Sequence, residues 1–294
     1  MRRIDQSGTI PSCRTARRLK HAAFRWTAAA CVWAAGFQHT SAAFEELAHD
    51  ARTASLGPVF TASRGPESVL LNPAGTAGLA SASACFSSAV PFGLKELAVH
   101  SFCAAFPLRM GSLGLALSTC GCSLYRESTF AAAWSVRFDG RIDAGIALRS
   151  LNLKIERFGS WTGAAVDAAV RISLGDRWSF GFSGTGLNQA AVEAYSPVPQ
   201  VTRVGVLHVP AENVVLAAEI EKDFRFPAAF HGGLEWTPFP GFSLRCGFGR
   251  SPAQFACGFG LGWKGFGMDY ACTLHPVLGT THQATVRCFR NVRK

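Results

Sequence analysis

The chain has no stretch of about eighteen consecutive apolar residues, so a membrane-spanning helix is excluded. Charge is scarce too: 16% of the 294 residues are charged and 48% are hydrophobic. Beyond residue 43 lysine occurs only at Lys95, Lys154, Lys222, Lys264 and Lys294, at expected turns, strand ends or the terminus. No helix pattern follows Gly258-x-Gly260-x-Gly262, which removes a phosphate loop. Gly181-Phe182-Ser183-Gly184-Thr185 lacks the closing Gly of a nucleophile elbow, so the oxyanion-like run His231-Gly232-Gly233 has no nucleophile to serve. No spacing singles out catalytic residues, and an enzyme is not expected.

What is present is alternation. Phe242, Leu244, Cys246 and Phe248 lie on one phase, followed by Phe255, Cys257, Phe259, Leu261 and Trp263, then Phe266, Met268, Tyr270 and Cys272. The opposite phase is Ser243, Arg245, Gly247 and Gly249, then Ala256, Gly258, Gly260 and Gly262, then Gly267, Asp269, Ala271 and Thr273. A period of two, broken by Pro and Gly, marks antiparallel strands with one apolar face. A soluble barrel alternates as well, so the second face decides. Bulk water would select Lys, Glu and Asn there. Gly, Ala and Ser with single charges suit a crowded lumen, and the apolar face then meets lipid.

The N-terminus reads as an address. Arg14, Arg17, Arg18, Lys20 and Arg25 precede the apolar stretch 26–37, and Ser41-Ala42-Ala43 offers a small-x-small cleavage site, so residues 1–43 are expected to be a signal peptide. A short amphipathic helix of the mature chain is the alternative. A lipid-attachment box at Ala28-Ala29-Ala30-Cys31 is disfavoured because Arg25 leaves too short an apolar run. This leader carries a net +6 of the chain's formal net charge of +10, which removes most support for nucleic-acid binding. Of ten cysteines, Cys13 and Cys31 lie in the leader, while Cys246, Cys257, Cys272 and Cys288 fall on the apolar face as small hydrophobes. Cys120-x-Cys122 has no His nearby at ligand spacing, so neither a metal site nor a cofactor is expected.

From Ala82 onward the pattern yields about fourteen strand-like segments, each long enough for the roughly 9–11 residues that a tilted membrane strand needs. Asp139-Gly140, Gly175-Asp176, residues 238–241 and Lys264-Gly265 supply the turns, and 188–200, with Pro197 and Pro199, is the expected surface loop. The inward phase collects Arg137, Asp143, Arg149, Asp167, Arg171, Arg203, Glu219, Glu221, His231, Glu235, Arg245, Asp269 and Arg287, with acids and arginines in equal number. Buried charges persist when paired, so a ladder of ion pairs is expected to fill and stiffen the lumen. An open selective pore would show one sign in excess. Trp134, Trp161, Trp178, Trp236 and Trp263 are expected outside, near strand ends, as interfacial girdles.

Upstream of the strands the texture changes. The run Ala51-Arg52-Thr53-Ala54-Ser55-Leu56-Gly57-Pro58-Val59-Phe60-Thr61-Ala62, then Val69-Leu70-Leu71-Asn72-Pro73-Ala74-Gly75, resembles the N-terminal signature of the FadL superfamily of outer-membrane barrels. It is also similar to the PorV-like branch and to spirochaete barrels related to FadL, whose closing hairpin the tail 262–289 resembles. The resemblance implies an all-β transmembrane barrel of about fourteen strands (82–294), closed by an N-terminal plug, or hatch (44–81), whose signature is Gly57, Asn72, Pro73, Ala74 and Gly75. It further implies a bacterial outer-membrane location, contact with membrane lipids and with the outer-membrane assembly machinery, and gated uptake of hydrophobic molecules such as long-chain fatty acids. The PorV-like alternative is a scaffold or shuttle for secreted or surface proteins.

Overall fold

A computed structural model describes residues 43–45, 49–189, 191–193 and 196–289. Of the expected leader 1–43, residues 1–42 lie outside the described residues. Alternation becomes a closed antiparallel barrel of fourteen strands. They are β1 (Ser83–Val90), β2 (Val99–Leu108), β3 (Gly111–Gly121), β4 (Tyr125–Phe138), β5 (Ile142–Ile155), β6 (Gly159–Leu174) and β7 (Trp178–Thr185), then β10 (Val201–Ala211), β11 (Val214–Asp223), β12 (Ala229–Phe239), β13 (Phe242–Arg250), β14 (Gln254–Trp263), β15 (Phe266–His275) and β16 (Gly279–Phe289). A small hairpin, β8 (Ala191–Glu193) with β9 (Ser196–Pro197), stands between β7 and β10. Each strand pairs with its sequence neighbour in the barrel, and β1 closes the ring on β16, from Ser83 opposite Phe289 to Val90 opposite His282.

The two phases separate as the alternation requires. Phe86, Phe102, Leu117, Ile146, Leu148, Phe182, Phe230, Phe248 and Val286 are exposed on the outside. Ala89, Ala116, Ala131, Ala147, Ala169, Ala256 and Ala271 are buried inside, with Ser87, Ser101, Ser135, Ser183 and the charged set. This inverts a soluble barrel, as lipid contact demands. No described helix is long and apolar enough to cross a membrane.

The rim carrying the start of β1 and the end of β16 has only tight turns. At Asp139-Gly140 both residues have positive φ (46° and 66°), and Lys264-Gly265 repeats this at 42° and 90°, the backbone of a hairpin turn that matches strand twist. The opposite, far rim carries the longer connections, including 186–200. That connection differs from the expected surface loop. It contains the β8–β9 hairpin, and Val198 is buried against Leu151, Leu153 and Ala165. Trp161 also differs: it shares the phase of the buried Ala165, Asp167 and Ala169 on β6 and so packs against the same inward cluster. Trp134, Trp178, Trp236 and Trp263 are exposed outside.

The N-terminal segment runs through the lumen. Its first turn is the short helix α1 (Ala51–Ser55), capped by the Asp50 carboxylate, which accepts from the amides of Arg52 and Thr53. Two 3-10 turns follow, Pro66–Leu70 and Pro73–Thr76. Each begins with proline, whose fixed φ and missing N–H suit a first helical position.

Candidate functional site

The lumen is shaped to receive main chain. A Cβ added at Gly181 would sit 2.0 Å from the Thr61 carbonyl oxygen, one at Gly247 2.2 Å from the Gly57 nitrogen, and one at Gly233 2.4 Å from the Leu56 carbonyl oxygen. Across the barrel, Gly145 faces the Pro73–Ala74 peptide at 2.5 Å, and Gly114 faces the Val69 side chain at 2.5 Å. The inward glycines therefore form a path around the wall, and the segment's backbone lies along it.

Charged side chains then hold it. Arg52 makes a two-pronged pair with Glu235 at 2.9 and 3.0 Å. Glu235 also takes Arg245 at 2.5 Å, Arg245 reaches Asp269 at 2.6 Å, Asp269 pairs with Arg287 at 2.8 Å, and Arg287 returns to Asp50 at 3.3 Å. The chain of alternating charge starts and ends on the segment and passes through β12, β13, β15 and β16. Desolvation on this scale is tolerable because every acid in it touches at least one guanidinium.

Two further clamps follow. Glu219 accepts from the amides of Phe60 (3.0 Å) and Thr61 (2.8 Å) and from the Thr61 hydroxyl, while Arg203 spans Glu221 at 2.9 Å and Glu219 at 3.7 Å. The Arg203 guanidinium also lies over the Phe60 ring, 5.1 Å from its centre. At the third clamp Asp143, fully buried, gathers Arg64 at 2.6 Å, Arg137 at 2.7 Å and Arg171 at 3.3 Å. Arg171 donates in addition to the Ala62 carbonyl at 2.8 Å and Arg137 to the Ala77 carbonyl at 3.0 Å. Arg149 and Asp167 pair at 2.7 Å within the wall, and Asp167 accepts from the Gly186 amide.

The signature residues sit inside this cradle. Gly57 has φ of 72°, and a side chain there would strike the Phe248 carbonyl oxygen at 2.4 Å, so both conformation and space demand glycine. Asn72 is fully buried and donates to the Thr61 carbonyl at 2.6 Å, tying the two halves of the segment together. Pro73, Ala74 and Gly75 are buried, and Thr76 shares a 2.8 Å hydrogen bond with Ser135. Nearer the far rim Phe44 is buried among Leu151, Leu153, Ala165 and Val198, and its backbone nitrogen donates to Glu127 at 2.8 Å.

Sequence reasoning placed the charges inside as pairs within the wall. It did not find that Arg52, Arg64, Asp50 and Thr61 of the segment complete them. One signal was available: Arg52 and Arg64 are the only Arg or Lys residues between positions 44 and 80. Among the described residues no group of His, Cys, Asp and Glu has metal-site geometry.

In fold, this fourteen-stranded barrel with its N-terminal segment inside the lumen is similar to FadL-like channels of known structure. No protein-family model matches the chain, and no curated protein sequence does either. Solved structures do match. The CymD monoaromatic hydrocarbon channel aligns with a TM-score of 0.60 at 9% identity, covering 86% of this chain and 100% of that one. The Pseudomonas putida toluene transporter TodX gives 0.61 at 9%, covering 84% and 98%. A Pseudomonas aeruginosa FadL homologue gives 0.61 at 8%, covering 85% and 100%. At these identities the likeness is one of fold.

Proposed function

We propose that this chain is an outer-membrane channel for hydrophobic small molecules, exported by its 1–43 leader, in which residues 44–81 act as the gating plug. The observation that carries this reading is a lipid-facing wall around a lumen in which residues 49–77 lie buried against the inward side chains of the wall. The segment is held by ion pairs and backbone hydrogen bonds, which a local rearrangement can exchange. The resemblance in fold to hydrocarbon channels supports the ligand class. Within that class we favour an amphipathic acid, such as a long-chain fatty acid, over a neutral hydrocarbon. Arg64, Arg137 and Arg171 share the single carboxylate Asp143, and a passing carboxylate would meet that excess of positive charge. A second reading, a PorV-like scaffold for secreted proteins, draws on the three-residue far-rim connections 122–124, 156–158, 251–253 and 276–278, which leave little for a capture groove.

The test is reconstitution. Vesicles carrying the mature protein should take up labelled oleate, and removal of residues 44–80 should leave a folded barrel with raised, nonselective conductance in planar bilayers. Unchanged conductance together with no protein-dependent uptake would overturn the channel reading in favour of the scaffold.

A further inference from the structure

Glu127 presents an unusual pairing. Its Oε2 accepts from the Phe44 backbone nitrogen at 2.8 Å, its Oε1 accepts from the Tyr125 hydroxyl at 2.5 Å, and among the described residues it has no Arg, Lys or His partner. A carboxylate at the mouth of an apolar cluster would ordinarily be matched by a cation. The Phe44 nitrogen is the atom that leader removal would transform. Hydrolysis of the Ala43–Phe44 bond adds one water, leaving a carboxylate on Ala43 and a protonated amine on Phe44. An α-amine is mostly charged at neutral pH, since its ordinary pKa is about 7.7–8.0.

We propose that cleavage falls between Ala43 and Phe44, and that the new α-ammonium of Phe44 docks on Glu127 as the ion pair anchoring the mature N-terminus at the far rim. The proposal rests on the leader reading above, which places the cut after Ala43, and adds the acceptor that receives the new charge. Three observations converge on it. Ser41-Ala42-Ala43 places the small residues of a processing site directly before Phe44. Phe44 has φ of 59°, a left-handed conformation that costs an ordinary residue energy. That angle exists only while Ala43 is attached, so cleavage removes the strain. The flanking contacts would hold the free end in register: the Phe44 ring is buried among Leu151, Leu153, Ala165 and Val198, and Glu45 reaches Arg225 at 3.2 Å.

The experiment uses the full-length chain expressed with its leader, purified from membranes. N-terminal sequencing should begin at Phe44. A start at any other residue overturns the proposal while leaving export intact, and a start at Met1 overturns both it and the leader reading. Acetylation of the α-amine, followed by mass spectrometry across pH, should give an amine pKa above its ordinary range. A rise of one unit makes labelling ~10-fold slower at pH 7 than in an unfolded peptide of the same sequence. Glu127→Gln keeps the shape, can accept from the Phe44 nitrogen through its amide oxygen and can donate its amide to the Tyr125 oxygen, but removes the charge, and labelling should return to the peptide rate. A wild-type amine titrating in its ordinary range refutes the pairing without recourse to any variant.

Discussion

Between β12 and β16 the N-terminal segment meets charge: Arg52 and Asp50 close a chain of pairs through Glu235, Arg245, Asp269 and Arg287. Between β1 and β5, beside the Asp143 clamp, the stretch Val69–Leu71 meets hydrocarbon. There Val69, Leu70 and Leu71 pack with Phe60 on Cys85, Cys103, Ala116, Ala131, Ala133 and Ala147, all buried. The two sides respond to different conditions. Ion pairs weaken as partners are protonated, whereas apolar packing is indifferent to pH and strengthened by excluded salts. A segment fastened both ways can release one end while the other stays seated, as the gating proposed above requires.

The largest expected effect ignores the distinction and removes the path itself. Gly181→Leu puts a side chain where the Thr61 carbonyl lies, with a Cβ only 2.0 Å from that oxygen. The outward face is untouched, so the barrel should still form, while the segment is displaced. Limited proteolysis in micelles should cut within residues 50–76 of the variant and not of the wild type. A protected segment would mean that the wall yields instead.

A smaller pair of substitutions sets the two sides against each other. Glu235→Leu leaves Arg52 and Arg245 without that carboxylate, and removing one partner of a buried pair typically costs roughly 3–5 kcal/mol. Val69→Ala removes two buried methyls and should cost roughly 1–3 kcal/mol. Amide hydrogen exchange should locate each effect, at 51–56 for the first and at 68–72 for the second. If Glu235→Leu loosens both stretches equally, the segment is one cooperative unit and the comparison fails.

How much of this could be seen without coordinates follows the same division. The wall was legible because lipid contact forces a strict period of two, and Phe242 to Thr273 alone fixed which phase faces in. The fourteen strands followed from counting the alternating segments beyond Ala82, and the inward charges were read from the same phase. The contacts of the segment were not legible. Thr61 meets Gly181 across 120 positions of chain, and Arg52 meets Glu235 across 183. Such pairings depend on how a short irregular stretch coils inside the barrel, and irregular backbone carries no periodicity. The resemblance gave an expectation of a plug, and the clamps came from geometry. Trp161 and Val198 were missed for a related reason: the far-rim cap breaks the rule that large apolar residues face out.

The subtlest prediction concerns Glu67, which lies on the segment rather than in a strand and is 5% exposed. Burial pushes its carboxyl up from the ordinary range to about 7, and Arg287 pulls it back only in part. Its Oε2 has no hydrogen-bond partner among the described residues. A raised acid pKa means that the folded state keeps a proton the unfolded chain has already shed. Stability therefore falls as pH rises between the ordinary value of 4.5 and about 7. The contribution is fully present below that window and lost above it. Glu67→Gln mimics the protonated form and should remove this dependence, leaving Arg287 its pairs with Asp50 and Asp269. Urea titrations in micelles should show the variant more stable than wild type at pH 8, with the gap closing toward pH 5. A gap that widens on acidification would mean that the ionised carboxylate is stabilised by Arg287, and would move Glu67 from the apolar side of the lumen to the charged one.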